Sequence, residues 1–176
     1  MPNLPELRER PARAGEPNLD PEEAAVFARA LGALNAAGIA FVLAGAFAHH
    51  AYTGIWRDTK DLDVFLTAES VNPALAALAG AGFVPELTDR LWLAKARQEP
   101  YFLDLIFGMS NGRLPIVAGW IVNGSACEVA GVPVRLIGLE ELVASKVYIA
   151  SRYRFDGADV AHLIRSSRGR LDWGRV

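Results

Sequence analysis

Asp61-Leu62-Asp63-Val64-Phe65-Leu66 sets two carboxylates into an otherwise apolar stretch, downstream of Gly45. The run predicts a buried strand, and side chains on a strand alternate faces, so Asp61 and Asp63 point the same way. Two ionised carboxylates held close repel, and burying them costs several kcal/mol each unless a cation intervenes. Such a pair thrown out from a hydrophobic strand is a ready Mg²⁺ site. A third acid follows in Tyr101-Phe102-Leu103-Asp104-Leu105-Ile106-Phe107, alone inside an apolar strand pattern where an unpartnered carboxylate does not belong. Three carboxylates on neighbouring strands predict metal-assisted phosphoryl chemistry.

The chain around them has 176 residues, enough for one domain with a respectable core and a helical appendage. Its hydrophobic content is 52%, much of it alanine. No stretch reaches the ~18 uninterrupted apolar residues a spanning helix needs, which argues against a membrane partner. Pro2, Pro5, Pro11 and Pro17 lie among charges at the N-terminus, unlike a signal peptide. Cys127 is the single cysteine, so no internal disulfide forms, and a cytoplasmic location is expected. Net charge is −2 but uneven. Residues 146–176 carry Lys146 and six arginines against three aspartates, while the rest of the chain is net acidic. An acidic front and basic rear suit a protein that holds metal with one part and phosphates with the other. A solvated arginine-rich tail is the plainer reading.

Residues 1–19 read as a flexible arm. Asp20-Pro21-Glu22-Glu23 starts a helix, with an N-cap, Pro at the first helical position and acids in the first turn. That helix is expected to reach about Ala37 and stop at Gly38. Residues 39–44 predict a short strand, 46–53 a short helix, 61–66 the Asp-bearing strand and 71–80 another helix. Further strands are expected at 83–85, 91–96 and 101–107, and a short helix at 115–122. The stretches 126–130 and 132–136 flank Gly131 as a hairpin. Two helices, 139–151 and 156–166, close the chain. The order predicts an α+β fold: a mixed, twisted sheet with helices mainly on one side, a core over 20–136, and a C-terminal helical region over 137–176 packed on it.

An apolar strand, a Gly-small turn, a short helix, Asp-x-Asp on the next strand and a later Asp resemble the DNA polymerase β-type nucleotidyltransferase superfamily. Arg57-x-Thr59-x-Asp61-Leu62-Asp63 resembles the minimal and AbiEii-type nucleotidyltransferases within it. So does the C-terminal stretch, with Lys146 on a helix followed by Arg152-Tyr153-Arg154-Phe155-Asp156-Gly157-Ala158-Asp159. The resemblance spans about 39–164. It implies a Mg²⁺- or Mn²⁺-dependent enzyme that moves NMP from an NTP to an acceptor hydroxyl on RNA, protein or a small molecule. A toxin–antitoxin setting with a partner protein is also implied. On this resemblance Asp61, Asp63 and Asp104 are the catalytic and metal-binding residues. Gly45, Ala46, Arg57, Thr59 and Lys146 are the nucleotide-binding set. Glycine at 45 lets backbone N–H groups approach phosphates closely, and the following helix N-terminus favours an anion.

Ala46 departs from the family pattern, in which a Ser or second Gly follows the first glycine. An alanine offers no hydroxyl to a phosphate. A non-catalytic, nucleotide-binding or partner-binding homologue is therefore the alternative reading. A glycosyltransferase using Asp-x-Asp is a weaker third, since such domains lack the upstream Gly turn.

Each remaining residue carries two readings. Arg57 contacts phosphate or balances Asp58 and the catalytic acids. Thr59 orients its loop more readily than it touches ligand, and Lys146 snorkels or contacts phosphate. Asp159 is an active-site acid or a partner for Arg152 or Arg154, and Asp156 can cap the last helix. His49 and His50 are adjacent on one helix and cannot both face one ligand. Trp56 and Tyr101 stack a base if exposed, and otherwise belong to the core.

Overall fold

The computed structural model describes residues 17–109, 112–149 and 156–176. The first helix, α1 (Pro21–Ala36), begins where the capping signature places it. Asp20 Oδ1 accepts the Glu23 N–H at 2.8 Å, and Gly38 beyond the helix takes a φ of 67°. The chain then runs through β1 (Phe41–Leu43), α2 (Gly45–Thr53), β2 (Asp61–Leu66), a short 3-10 turn and α3 (Val71–Gly80). A meander of β3 (Val84–Asp89), β4 (Leu93–Gln98) and β5 (Tyr101–Ile106) follows. Two short strands, β6 (Gly108–Met109) and β7 (Leu114–Pro115), form a separate ribbon ahead of α4 (Ala118–Val122). The hairpin β8 (Ser125–Val129) and β9 (Val132–Leu136) leads into α5 (Leu139–Ile149) and α6 (Gly157–Ser167).

Seven strands make one mixed sheet in the order β3-β4-β5-β2-β1-β9-β8. The pairs β2–β5 and β1–β9 are parallel, and the other neighbours are antiparallel. The α+β architecture expected from the sequence is therefore the observed one. β3 is longer than expected because Pro85, which cannot donate to a ladder, lies on the outer strand of the sheet, where proline is tolerated.

The two faces of the central strands differ in chemistry. Leu62, Val64 and Leu66 of β2, Leu103 and Leu105 of β5, and Ala94 and Ala96 of β4 are all fully buried. They share one core with Phe27, Leu31 and Leu34 of α1 and with Ala74 and Leu78 of α3. The alternate residues, Asp61, Asp63, Lys95, Phe102, Asp104 and Ile106, take the opposite face and are half-buried. One face is closed by apolar packing, so the other can carry charge without weakening the core.

Distant parts are tied by a few polar contacts. The Tyr101 hydroxyl donates to Asp20 Oδ2 at 3.0 Å, which joins the start of β5 to the N-cap of α1. Tyr101 is buried, so it is a core residue and not a base-stacking platform. The Tyr52 hydroxyl donates to the Ile137 carbonyl at 2.7 Å, and the Ile137 N–H donates to Leu43 at 2.9 Å, which docks the start of the C-terminal region on β1. Beyond α6, the Asp172 N–H donates to Glu140 Oε1 at 3.1 Å and Arg175 pairs with Glu141, so the last residues clamp onto α5. No described helix is long and apolar enough to cross a membrane.

The closed face sets a stability contrast. Leu103→Ala empties fully buried space and is expected to cost about 2–5 kcal/mol in urea unfolding. Leu87→Ala, on the exposed outer strand β3, is expected to stay within about 0.5 kcal/mol of the parent.

Candidate active site

Parallel pairing of β2 with β5 sets Asp63 directly opposite Asp104 and Asp61 opposite Phe102. Residues paired in register share a face, so the two Asp-bearing strands bring all three acids to one spot. One carboxylate oxygen from each of Asp61, Asp63 and Asp104 lies within 4.8 Å of the others. All three are half-buried. Each acid is held from a different side. The Thr59 hydroxyl donates to Asp61 Oδ1, so Thr59 orients the carboxylate as well as its own loop. The Asp63 carbonyl accepts the Ala44 N–H at 2.9 Å, which binds β2 to the turn before α2. Lys95, opposite Asp104 in the β4–β5 pairing, donates to Asp104 Oδ1 at 2.5 Å. Burial pushes the Asp104 carboxyl up; Lys95 opposes that rise, and the neighbouring Asp61 adds to it.

Gly45 closes over the pair. Its φ is 53°, in the left-handed region, and a Cβ there would collide with the Asp63 carboxylate, 2.7 Å from its Cγ. Glycine is thus required twice, for backbone conformation and for room. Gly45 and Ala46 open α2, whose N-terminus no side chain caps. Its first N–H groups are the unsatisfied donors that favour an anion.

The acids and the Gly45 turn line a cavity of about 790 Å³. Lys146, Ser145 and Asp156 reach it from the C-terminal region, Arg113 from the β7 side, and Phe65, Trp92, Ile106 and Met109 give it an apolar wall. Hard oxygen donors at this spacing fit Mg²⁺ or Mn²⁺. The collision awaiting any Cβ at position 45 shows how closely the turn is fitted over them.

The other residues expected at the site lie in a second polar cluster. Lys146 lines the cavity, yet its ammonium also donates to Asp159 Oδ2 at 2.8 Å and Asp156 Oδ2 at 3.2 Å. Arg57 donates to the same Asp159 oxygen at 2.7 Å. Asp159 is indeed an ion-pair acid, with Arg57 and Lys146 as partners; Arg152 and Arg154 lie outside the described residues, as does most of the arm at 1–19. Burial alone would raise Asp159, but hydrogen bonds from Lys146 and Arg57 hold its carboxyl down at about 2. His49 is buried, with Nε2 3.7 Å from Asp159 Oδ1, and burial lowers its pKa against the pull of that acid. Asp156 stands at the N-cap of α6, but its side chain makes no capping bond there and turns to Lys146. Trp56 packs edge-on against Phe47 and His50.

Lys95, Trp92, Met109 and Arg113 escape a reading of the sequence alone. Lys95 had a faint signal, a lone charge between alanines in an apolar strand. Its partner is visible only once the β4–β5 register is known.

No protein-family model matches the sequence, and no curated protein matches it. Solved structures do. The antibiotic-resistance factor ANT(2'')-Ia in solution superposes with a TM-score of 0.62 at 17% identity, over 87% of this chain and 86% of that one. A crystal structure of ANT(2'')-Ia with adenylyl-2''-tobramycin gives 0.58 at 17% identity, over 85% and 90%. The lincosamide antibiotic adenylyltransferase LnuA, lincomycin-bound, gives 0.57 at 16% identity, over 84% and 98%. The fold is thus a nucleotidyltransferase fold.

Two outcomes follow from this geometry. Mn²⁺ is expected to raise the melting temperature of the parent, and Asp61→Asn/Asp63→Asn to lose that response while its metal-free form melts no lower, because repulsion is relieved. Unfolded, Asp159 ionises around its ordinary value of 3.8; folded, Lys146 and Arg57 hold it down at about 2, so the stability it contributes is complete above 3.8 and lost as pH falls toward 2. Asp159→Asn is therefore expected to unfold with a shallower loss of stability between those two pH values, followed by urea titration at each pH.

Proposed function

We propose that this protein is a divalent-metal-dependent nucleotidyltransferase that moves NMP from an NTP to a hydroxyl of a small molecule. The observation that carries the reading is the convergence of Asp61, Asp63 and Asp104 under the Gly45 turn. The small-molecule acceptor is supported by the likeness to ANT(2'')-Ia and LnuA, whose structures hold adenylyl-tobramycin and lincomycin. A toxin–antitoxin role, an RNA or protein acceptor and a partner protein rest on the sequence resemblance alone.

Asp61 and Asp63, with Asp104, would hold Mg²⁺ or Mn²⁺. Bound there, the ion offsets triphosphate charge and polarises the reacting phosphoryl group. The residues of the chain do the rest. Backbone N–H groups at Gly45 and Ala46 receive the distal phosphates; without a hydroxyl at 46 that contact is made by backbone only. Lys146, which lines the cavity, is placed for a further phosphate contact, and the Asp156/Asp159 pair sets where its ammonium can go. Asp104 accepts the proton of the acceptor hydroxyl as its oxygen bonds to the α-phosphorus. The bond from that phosphorus to the pyrophosphate oxygen breaks, pyrophosphate leaves, and the acceptor keeps the NMP. Helix α5 and the start of α6 bring Lys146 and Asp156 to the cavity.

The test is a mass shift. Protein, Mg²⁺ and each of the four NTPs are incubated with a panel of hydroxyl-bearing antibiotics. An acceptor heavier by one NMP residue, with pyrophosphate released, is the expected product. Asp104→Asn should lower turnover by about 10²-fold or more while nucleotide still binds. Nucleotide binding without any product across the panel and in cell extract would favour the non-catalytic reading that Ala46 suggests.

A further inference from the structure

The metal and phosphate contacts leave the apolar wall of the cavity unused. Trp92, Ile106 and Met109 supply it on the side of β4 and β5, and Arg113 lines the same cavity. Strand register holds this wall in place. Leu93 pairs with Ile106, and the Phe107 N–H donates to the Trp92 carbonyl at 3.0 Å. The glycines at 108 and 112 are fitted against the start of β4. A Cβ at Gly108 would lie 3.1 Å from Trp92 Cβ, and one at Gly112 would lie 2.9 Å from the Leu91 carbonyl oxygen. That close fit keeps Arg113, the residue after Gly112, on the Trp92 side.

In a nucleotidyl transfer the attacking and leaving oxygens stand in line, on opposite sides of the phosphorus. The fold gives those two directions different walls. β1 lies beyond β2 from β5, and its antiparallel pairing of Leu43 with Val64 carries the chain past Asp63 toward Asp61. The Gly45 turn is therefore on one side of the Asp63–Asp104 pair. Ile106, further along β5, and Trp92, ahead of β4, are on the other. Pyrophosphate leaving toward Gly45 sets the acceptor hydroxyl at Asp104 and the body of the acceptor on Trp92, Ile106 and Met109. The nucleoside, off that line, is left with the α5 side of the cavity.

Charge narrows what the acceptor can be. Among the described residues, the acids lining the cavity are Asp61, Asp63 and Asp104, which the metal reading engages, and Asp156, which accepts from Lys146. On the acceptor side the cations are Arg113 and the Lys95 that pairs with Asp104. Arg113 is exposed, and no ion pair among the described residues engages it. A polycation against this wall would meet like charge and press ammonium groups onto apolar side chains. A ring would bury area on Trp92 instead. We propose that Trp92, Ile106 and Met109 form the acceptor subsite, and that the acceptor is a neutral or acidic hydroxyl compound with a ring-sized apolar face. Its oxygen bonds to the α-phosphorus, its proton passes to Asp104, and pyrophosphate leaves. The subsite rests on the transferase reading above.

Competition between acceptors tests it. Protein, Mg²⁺ and each NTP are incubated with equal concentrations of chloramphenicol, phenyl β-glucoside and the polycation tobramycin, and the products are weighed by mass spectrometry. The neutral aryl compounds should take NMP at least about tenfold faster than tobramycin. Trp92→Ala and Ile106→Asn should each raise KM for the aryl acceptor about tenfold with KM for NTP unchanged, and Trp92→Phe should restore the parent value. Arg113→Glu, at an exposed position, should shift transfer toward tobramycin. Preferred transfer to tobramycin by the parent overturns the acceptor class and leaves the transferase standing. A rise in KM for NTP, with that for the acceptor unchanged, gives the wall to the nucleoside and overturns the subsite alone. No product from any of the three overturns the acceptor class and the transferase reading together.

Discussion

Parallel pairing of β2 with β5 is the constraint from which the site follows. It aligns Asp63 with Asp104 and at the same time aligns Leu62 with Leu103 and Val64 with Leu105. A slip of one residue would turn every one of these side chains to the opposite face. The fully buried leucines and valine therefore fix the register that gathers the carboxylates. Charge is gathered at the expense of local repulsion, and the register is held by apolar burial on the other face, at roughly 1.5–3 kcal/mol for each large side chain. Stability and site chemistry sit back to back on the same two strands.

A second layer of charge sits behind the first. Asp159 on α6 receives Arg57 from the loop before β2 and Lys146 from α5, so one carboxylate joins three separate segments of the chain. A lone buried acid there would be costly, and two cations with direct hydrogen bonds offset that cost. The network fixes how far Lys146 extends into the cavity. It also links the C-terminal helices to the loop that presents Thr59 and Asp61. Movement of α6 would shift Asp159 and with it both Lys146 and Arg57.

Much of the site was legible in the sequence because its signals were local. Asp61 and Asp63 obey the two-residue period of a strand, and Asp104 is conspicuous as a charge in an apolar run. The start of α1 was legible at Asp20-Pro21 because capping is a property of adjacent residues. What escaped was non-local. Lys95 gains meaning only through the β4–β5 register, and Asp159 finds Arg57 across 102 positions of sequence. Tyr101 looked like a candidate ring for a base, yet its ring packs against Phe27 in the core and its hydroxyl partner Asp20 lies 81 positions earlier. The short strands β6 and β7 left no periodic pattern, since two residues cannot show a period.

The same two-residue period that exposes the acids also grades the cavity. Two positions beyond Asp63 stands Phe65, and two beyond Asp104 stands Ile106, on the same face and lining the same cavity. Each step of two residues advances about 6–7 Å. The face therefore passes from ionic to apolar within one pleat, and Trp92 and Met109 extend the apolar part. The uncapped start of α2 lies at the ionic end, beside Asp63. A divalent cation would satisfy the ionic end, where the three carboxylates meet, and an apolar group the other. Burial of a ring on Phe65 and Trp92 would contribute binding that no phosphate contact supplies. The arrangement follows from strand geometry alone, with one face of two paired strands supplying both kinds of wall.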